Sequence, residues 1–343
     1  MVRVGLAGLG FMGGTHAQCH AALPNVELVA VADVEQDRRE KFAETYGAKP
    51  FASLDEMLAS ADVDMVDICL PTYLHREAVG KVAAAGKDVL CEKPMAMTVA
   101  DCDAMIAATQ KAGVKLMIGQ VLRFWPEYVV IKEILDSGRL GKIKWASATR
   151  MSPPPTWSWR EWLFDPKLSG GAVLDLHIHD LDTLQWMLGK PATVSAAGVK
   201  TKRGGLDNVL TTLTGHPGGQ VSFAEGSLDL APGFPFTMGL KVDCEGGTIE
   251  LNTRLSPSLL VAPAGGGIEH PEVPAIEVPT VAGAGSAGNI SALGGYFVEV
   301  KYFVDCVDKG ERPTRVPAEE ARSAVALCLA ATKAAETGQA VAV

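Results

Sequence analysis

Near the middle of the 343-residue chain, the run Gly170-Gly171-Ala172-Val173-Leu174-Asp175-Leu176-His177-Ile178-His179-Asp180 gathers two imidazoles and two carboxylates. It admits two chemistries. As a strand, His177 and His179 share a face, and such a pair binds a metal. As a helix they diverge by about 200° and do not chelate together. Leu174, Ile178, Leu181, Leu184 and Leu188 recur at helical spacing, over a stretch longer than an ordinary strand. A helix over about 172–188 is therefore expected, and no metal. On it, Asp175, His179 and Asp182 fall on one side at i, i+4 and i+7. A carboxylate one turn before a His orients its ring and prepares it as a general base. The plainer alternative is a surface i, i+4 pair. His177 falls on the opposite side, as a structural residue.

A second reactive candidate is Lys93, in Glu92-Lys93-Pro94 at the end of an apolar run over 87–91. Ligands of open α/β sheets bind beyond the carboxyl ends of the strands, so a Lys there faces the crevice. It can hydrogen-bond a substrate hydroxyl and depress the pKa of a neighbouring base. Taken by itself, the motif reads as a solvated Lys before a Pro turn.

A third pattern opens the chain. Gly8-Leu9-Gly10-Phe11-Met12-Gly13 follows a strand pattern and begins a helical one. Gly8 permits a tight turn, Gly10 admits a pyrophosphate against the backbone, and Gly13 allows close helix–strand packing. N–H groups of the helix start then bind phosphate oxygens. Asp33 stands 20 residues past Gly13, after Val29-Ala30-Val31-Ala32, where a carboxylate accepts from ribose hydroxyls and repels a 2′-phosphate. The competing role for Asp33 is a helix cap. Val34 follows, with Arg38 and Arg39 on the next helix, so NAD is expected over NADP. Three of the six Trp lie within 157–162. Trp157, Trp162 and Arg160, with Arg123, are the candidates for holding a sugar-like substrate by ring stacking and polar anchors. The alternative is that these Trp pack between domains or subunits.

These groups need a frame. Over the first 122 residues, strand patterns (2–7, 26–32, 64–70, 87–91, 115–121) alternate with helical ones (12–22, 36–46, 53–59, 75–85, 98–112), with capping signals at Ser53 and Thr98. Such alternation implies a parallel sheet covered on both faces. From about 142 the pattern changes to strands at 142–150, 192–200, 207–214, 219–227, 236–244 and 247–251 joined by Gly- and Pro-rich turns, so an antiparallel sheet is expected. A long loop at 254–293 and helices near 294–309 and 317–337 close the chain. The expected fold is α/β: a Rossmann doubly wound parallel sheet over 1–122, then a substrate-binding and oligomerisation α+β domain over 123–343. That second domain carries a large open antiparallel sheet, and the final helices can pack back on the first.

Composition narrows the function. The net charge is −9, and the densest basic cluster, Lys200, Lys202 and Arg203, reads as a turn, so neither nucleic acid nor a membrane surface is an expected partner. The seven Cys form no C-x-x-C pair, which argues for free thiols in a reducing compartment. No apolar stretch reaches the ~20 residues of a bilayer span, and the first residues enter a strand pattern directly. A cytoplasmic protein is expected.

Taken together and in order, the glycine fingerprint, Glu92-Lys93-Pro94 and the Gly-Gly-x-x-x-Asp-x-x-x-His run resemble the Gfo/Idh/MocA oxidoreductases, which include glucose–fructose oxidoreductase and inositol dehydrogenase. Leu70-Pro71-Thr72-Tyr73-Leu74-His75, Arg123-Phe124, Tyr302-Phe303-Val304-Asp305 and Thr337-Gly338 extend the resemblance over nearly the whole chain. It implies a catalytic set of Lys93, Asp175 and His179. His179 would take the hydroxyl proton as hydride passes to the nicotinamide; Lys93 would position the substrate and support the alkoxide; Asp175 would assist orientation. It also implies Leu70, Thr72 and His75 against the cofactor, with Glu92 and Gln120 lining the nicotinamide side, although the family often has Asn near that last position. The expected function is NAD-dependent oxidation of a secondary hydroxyl of a sugar, inositol or related polyol, or reduction of the matching ketone. Two alternatives are an NAD-assisted glycoside-cleaving enzyme and a non-catalytic nicotinamide-sensing regulator; a pure sensor has no need of all three catalytic groups. The family commonly pairs through the second domain's sheet, so a homodimer or homotetramer is expected.

Overall fold

A computed structural model describes residues 1–202, 204–279 and 293–343. The chain divides into two compact units. The first comprises Met1–Trp125, Trp157–Arg160 and Ala275–Arg322, and the second Pro126–Thr156, Glu161–Pro274 and Ser323–Val343.

In the first unit, strands β1 (Val2–Ala7), β2 (Val26–Ala32), β3 (Lys49–Phe51), β4 (Met65–Ile68), β5 (Asp88–Glu92) and β6 (Leu116–Gly119) form a six-stranded sheet in the order β3-β2-β1-β4-β5-β6. Every pairing is parallel. Helices α1 (Phe11–Ala21), α2 (Gln36–Tyr46), α3 (Leu54–Ser60), α4 (His75–Ala84) and α5 (Val99–Ala112) connect the strands. This is the doubly wound order expected of the alternating pattern. Val4, Leu6, Val66, Ile68, Val89 and Leu90 are fully buried, as strands covered on both faces require. Ser53 and Thr98 cap as anticipated, their hydroxyls accepting from the Glu56 and Asp101 N–H groups at 3.2 and 3.1 Å. β3 escapes the sequence pattern because it is three residues long and contains Pro50, which only an edge strand tolerates.

The second unit adds α6 (Pro126–Asp136), β7 (Ile143–Met151), α7 (Pro166–Ser169), α8 (Gly171–Asp175), α9 (Ile178–Leu188), β8 (Thr193–Lys200), β9 (Leu206–Thr214), β10 (Val221–Ser227), β11 (Thr237–Cys244), β12 (Gly247–Asn252) and β13 (Leu259–Pro263). Helix α10 (Gly294–Lys309) lies in the first unit and packs on α1; α11 (Ala318–Thr337) and β14 (Val341–Ala342) end the chain. The eight strands run β13-β12-β11-β7-β10-β9-β8-β14.

Two expectations are corrected here. The sheet is mixed rather than wholly antiparallel, because β7 and β10 pair in parallel, Val221 opposite Trp145 through Ser227 opposite Met151. β7 enters between β10 and β11, which are consecutive in the chain, and residue alternation carries no information about that insertion. The expected loop at 254–293 contains β13, a hairpin partner of β12; its residues 280–292, and Arg203 of the basic cluster, lie outside the described residues. β6 ends at Gly119 and β7 begins at Ile143, so a boundary at 122–123 lies between the two sheets. Both units also take up later stretches of the chain, so unit and sequence order do not coincide.

Candidate functional site

The dinucleotide-type turn is built where β1 meets α1. Gly8 has φ +91, and a Cβ there would stand 2.5 Å from the Cys69 carbonyl oxygen, so no other residue fits. A Cβ on Gly13 would collide with the Gly8 carbonyl, whereas one on Gly10 would meet nothing within 4 Å. The space in front of Gly10 is therefore open for a ligand that needs close backbone approach. Asp33 Oδ2 accepts from Leu9 N–H at 2.7 Å and Oδ1 from Glu35 N–H at 2.8 Å. Asp33 thus ties the glycine turn to the end of β2, and each carboxylate oxygen retains a lone pair for a hydroxyl.

At the ends of β4, β5 and β6 the expected residues gather within the first unit. Lys93 is half-buried, directly follows β5 and precedes Pro94 in a cis peptide bond, with its N–H donated to Glu92 Oε2 at 2.9 Å. His75 is buried, its ring nitrogens 2.8 Å from the Pro94 carbonyl and 2.7 Å from that of Leu70. Burial pushes its pKa down. A neutral ring has one N–H, so His75 donates to one carbonyl at a time while tying the two loops together. Thr72 is also buried, whereas Leu70 is only half-buried. The Gln120 side-chain NH2 is buried with no protein partner among the described residues, a donor set for a ligand or ordered water.

Sequence reasoning missed a polar cluster beneath this rim. His16 and His20 on α1, Asp67 on β4, Glu92 on β5 and Glu299 on α10 are all buried. His16 Nδ1 and His20 Nε2 meet Asp67 Oδ2 at 2.9 and 2.7 Å. Burial alone would push the Asp67 carboxyl up, yet the two imidazoles hold it below the usual carboxylate range. Burial likewise opposes charge on His16, but Asp67 raises its pKa well above the ordinary value. A signal was available: a charged residue inside the apolar run Met65-Val66-Asp67-Ile68, and His16 and His20 one helical turn apart.

Both Glu299 carboxylate oxygens are buried without a hydrogen-bond partner among the described residues. Burial, then the neighbouring Glu92, raises its pKa well above 4.5, so it keeps its proton. A raised folded-state pKa contributes stability below the unfolded value that is lost as pH climbs above it. Glu299→Gln, which cannot ionise, is therefore expected to stabilise the protein at pH 8 and to lose that advantage near pH 4.5. Urea denaturation midpoints at the two pH values test this; an equal difference at both would refute it.

The tryptophan-rich segment divides. Trp157 stacks on Phe11 with ring centroids 4.5 Å apart, Trp159 Nε1–H donates to Glu35 Oε1 at 2.9 Å, and Arg160 reaches the same oxygen at 3.0 Å. The Trp159 hydrogen bond, then Arg160, lowers the Glu35 pKa. Trp157 and Arg160 thus stand against the glycine turn and the end of β2, while half-buried Trp162 belongs to the second unit. Arg123 is 1% exposed, ion-paired with Glu320 and bonded to the Arg315 carbonyl at 3.2 Å, so it braces 315–320 rather than facing solvent.

In the second unit, Asp175 and His179 are the only residues from Gly171 to Gln185 that are not buried. The helix carrying them is not continuous, a further correction. His177 N–H bonds the Ala172 carbonyl, five residues back, at 2.9 Å, which opens a wide turn between α8 and α9. That turn shifts the helical phase. Asp182, which shares α9 with His179, is nevertheless buried and accepts from Gln185 Nε2 at 3.1 Å, whereas Asp175 and His179 stay partly exposed. His177 is buried and meets Thr211 Oγ1 at 2.9 Å; burial, then Arg150, pushes its pKa down to about 3, so it is neutral. Asp180 holds Arg150 of β7 through paired contacts of 3.0 and 3.1 Å. The two histidines therefore point to different environments and do not form a metal pair. Among the described residues, His16, Asp67 and Cys69 alone bring three possible ligand atoms within 4.8 Å of one another. There, the two His16–Asp67 atoms are already hydrogen-bonded.

Residues 2–120 match a family model described as an oxidoreductase family with an NAD-binding Rossmann fold, and residues 128–250 match the C-terminal domain of the same family. Inositol 2-dehydrogenase of Rhizobium meliloti (strain 1021) is 34% identical over 198 residues, 57% of this chain and 58% of that protein. The 2,7-anhydro-N-acetylneuraminate hydratase of Escherichia coli (strain K12) is 32% identical over 199 residues, 58% of this chain and 53% of that protein. The matches thus span little more than half the length of these curated relatives. A solved NAD-binding oxidoreductase from Klebsiella pneumoniae is similar over 100% of this chain and 99% of its own, with TM-score 0.85 and 26% identity. With the glycine turn, the Lys93 loop and the Asp175–His179 helix on the matched halves, the chain belongs to the Gfo/Idh/MocA oxidoreductase family.

Proposed function

We propose that the protein is an NAD-dependent dehydrogenase that oxidises a secondary hydroxyl of an inositol, sugar or related polyol, or reduces the matching ketone. The observation that carries this reading is selective exposure: in a buried helical stretch, Asp175 and His179 alone reach the surface. A pair kept open among buried neighbours is suited to handling a proton. When bound, NAD supplies the hydride acceptor. Gly8, Gly10, Gly13 and Asp33 would hold it, which fits the open space before Gly10 and the bonds that brace Asp33. His179 takes the hydroxyl proton, Asp175 orients the His179 ring, and the Lys93 ammonium stabilises the developing alkoxide.

The same reading prefers NAD to NADP, because the Asp33 carboxylate repels a 2′-phosphate. Arg39 donates to the Asp33 and Val34 carbonyls at 3.2 Å, which engages that guanidinium with the backbone. Seven cysteines without a disulfide fit a reducing, cytoplasmic setting. No helix of the described residues is long and apolar enough to cross a membrane. Leu210 and Phe223 are exposed on strands of the second unit's sheet, which supports pairing of that face in a homodimer or homotetramer.

The test is a panel of inositols, aldoses and glycosides assayed with NAD and NADP at 340 nm. Substrate-dependent NADH formation, at least tenfold better with NAD, is expected; no net reduction on any polyol refutes the dehydrogenase reading. A second reading rests on the hydratase relative: chemistry on a glycosidic or anhydro sugar without net NADH. Product formation with a flat 340 nm trace distinguishes it.

A further inference from the structure

We infer that His16 is a positioning residue for Lys93, acting through Glu92 as the centre of a buried chain His20–Asp67–His16–Glu92. The inference rests on the dehydrogenase reading, because it assumes that Lys93 works on substrate. Its geometry lies wholly within the first unit. His20 Nε2 and His16 Nδ1 converge on one Asp67 oxygen, at 2.7 and 2.9 Å. The other His16 ring nitrogen, Nε2, stands 3.1 Å from Glu92 Oε1. The second Glu92 oxygen accepts the main-chain N–H of Lys93 at 2.9 Å. One carboxylate thus faces a buried imidazole with one oxygen and the backbone of the reactive Lys with the other.

The direction of the chain follows from chemistry. His16 lies with both side-chain nitrogens between two carboxylates and is 0% exposed. As a cation, His16 directs one N–H to Asp67 and the other side of the ring toward Glu92. The Nε2 contact falls outside hydrogen-bond alignment, so attraction of charge holds Glu92 there more than a directed bond does. Such an attraction is strong in a site that excludes water. Removing the cation frees Glu92 to rotate, and Lys93 loses the acceptor that fixes its N–H. On the far side, His75 meets the Pro94 carbonyl at 2.8 Å, so the Lys93-Pro94 turn is braced at two points. A displacement of about 1 Å at a reacting group costs up to ~100-fold in rate.

The competing explanation is that His16 only holds α1 against β4. A kinetic cycle separates the two. With the best polyol of the panel, His16→Gln is expected to lower kcat about tenfold while KM for the polyol and Kd for NAD change less than threefold. In a Lys93→Ala background the same change is expected to lower kcat less than twofold, because the residue through which His16 acts is gone. An equal loss in both backgrounds, or wild-type kcat in His16→Gln, overturns the inference. Wild-type kcat in Lys93→Ala alone overturns the role of Lys93, a different failure. If His16→Gln does not fold, Asp67→Asn carries the same cycle, since Asn still accepts from His16 but no longer favours its charge. A readout independent of turnover is acylation of Lys93 by acetic anhydride, followed by peptide mass spectrometry on the full chain. The His16 or Asp67 variant is expected to raise the Lys93 labelling rate at least threefold while exposed Lys111 is unchanged. Unchanged labelling overturns the inference as well.

Discussion

Lys93→Ala and His179→Ala are each expected to lower kcat at least ~100-fold on the polyol substrate, with Kd for NAD within a few-fold of wild type. The expectation separates two tasks that lie on different residues. In the proposed reading, cofactor binding falls to the glycine turn and Asp33, whose contacts involve neither side chain: Asp33 is held by the Leu9 and Glu35 amides. In the same reading, chemistry falls to a base and a cation. An imidazole with an ordinary pKa of ~6.5 is half-deprotonated near neutral pH and serves as a base without large tuning. Ala removes that base, so the lost activity belongs to the proton-transfer step. His177→Ala is the control that distinguishes chemistry from packing. His177 is buried, neutral and bonded to Thr211, so its loss is expected to lower stability more than kcat per folded molecule. Turnover at the wild-type level in Lys93→Ala or His179→Ala would remove that residue from the mechanism. NAD affinity is read by calorimetry and turnover at 340 nm.

The largest effect on stability is expected from Arg150→Met, at about 3–5 kcal/mol, the usual cost of breaking a buried ion pair. Arg150 is 2% exposed and Asp180 is 0% exposed, and the pair joins β7 to α9 through two contacts. Tyr128 OH lies 3.5 Å from the same guanidinium. Burial pushes the Asp180 carboxyl up and Arg150 opposes it, so without Arg150 the carboxyl must take a proton or remain buried and unpaired. The damage comes from the group left behind. Arg150→Met with Asp180→Leu, which removes both charges, is therefore expected to recover most of the loss. Urea denaturation of the two variants decides the matter: a double variant as unstable as Arg150→Met would show that packing, not charge, sets the cost. Asp180 adjoins His179, so the same ion pair anchors the start of the helix that presents the proposed base.

Much of the fold was legible because its signals are local. The β1–α1–β2 unit depends on apolar periodicity, on a Gly with φ +91 and on a carboxylate at the end of the second strand, all within the first 33 residues. Ser53 and Thr98 announced their helices for the same reason, since a cap bonds an N–H three residues on. What escaped was set by partners far away in sequence. The parallel contact of β7 with β10 joins Trp145 to Val221, and nothing near either residue specifies it. Arg123 read as a substrate anchor, but its partner Glu320 lies 197 residues on. The contacts of Trp157 with Phe11 and of Arg160 with Glu35 are likewise set by residues distant in sequence.

The candidate site shows the same division. Spacing and the family resemblance nominated Lys93, Asp175 and His179 as candidates, because residue type and helical angle are properties of the chain itself. Tertiary structure decided which of the helical carboxylates is open. Asp182 lies one turn from His179 on α9, yet its neighbours in the second unit bury it while Asp175 and His179 stay partly exposed. It also decided what lies behind Lys93. His16, His20, Asp67 and Glu92 come from α1, β4 and β5, and only the parallel pairing of those strands brings their charges together. Sequence alone therefore supplied the candidate residues of the proposed site, whereas their exposure and charge were decided by burial against distant neighbours, which a linear pattern does not encode.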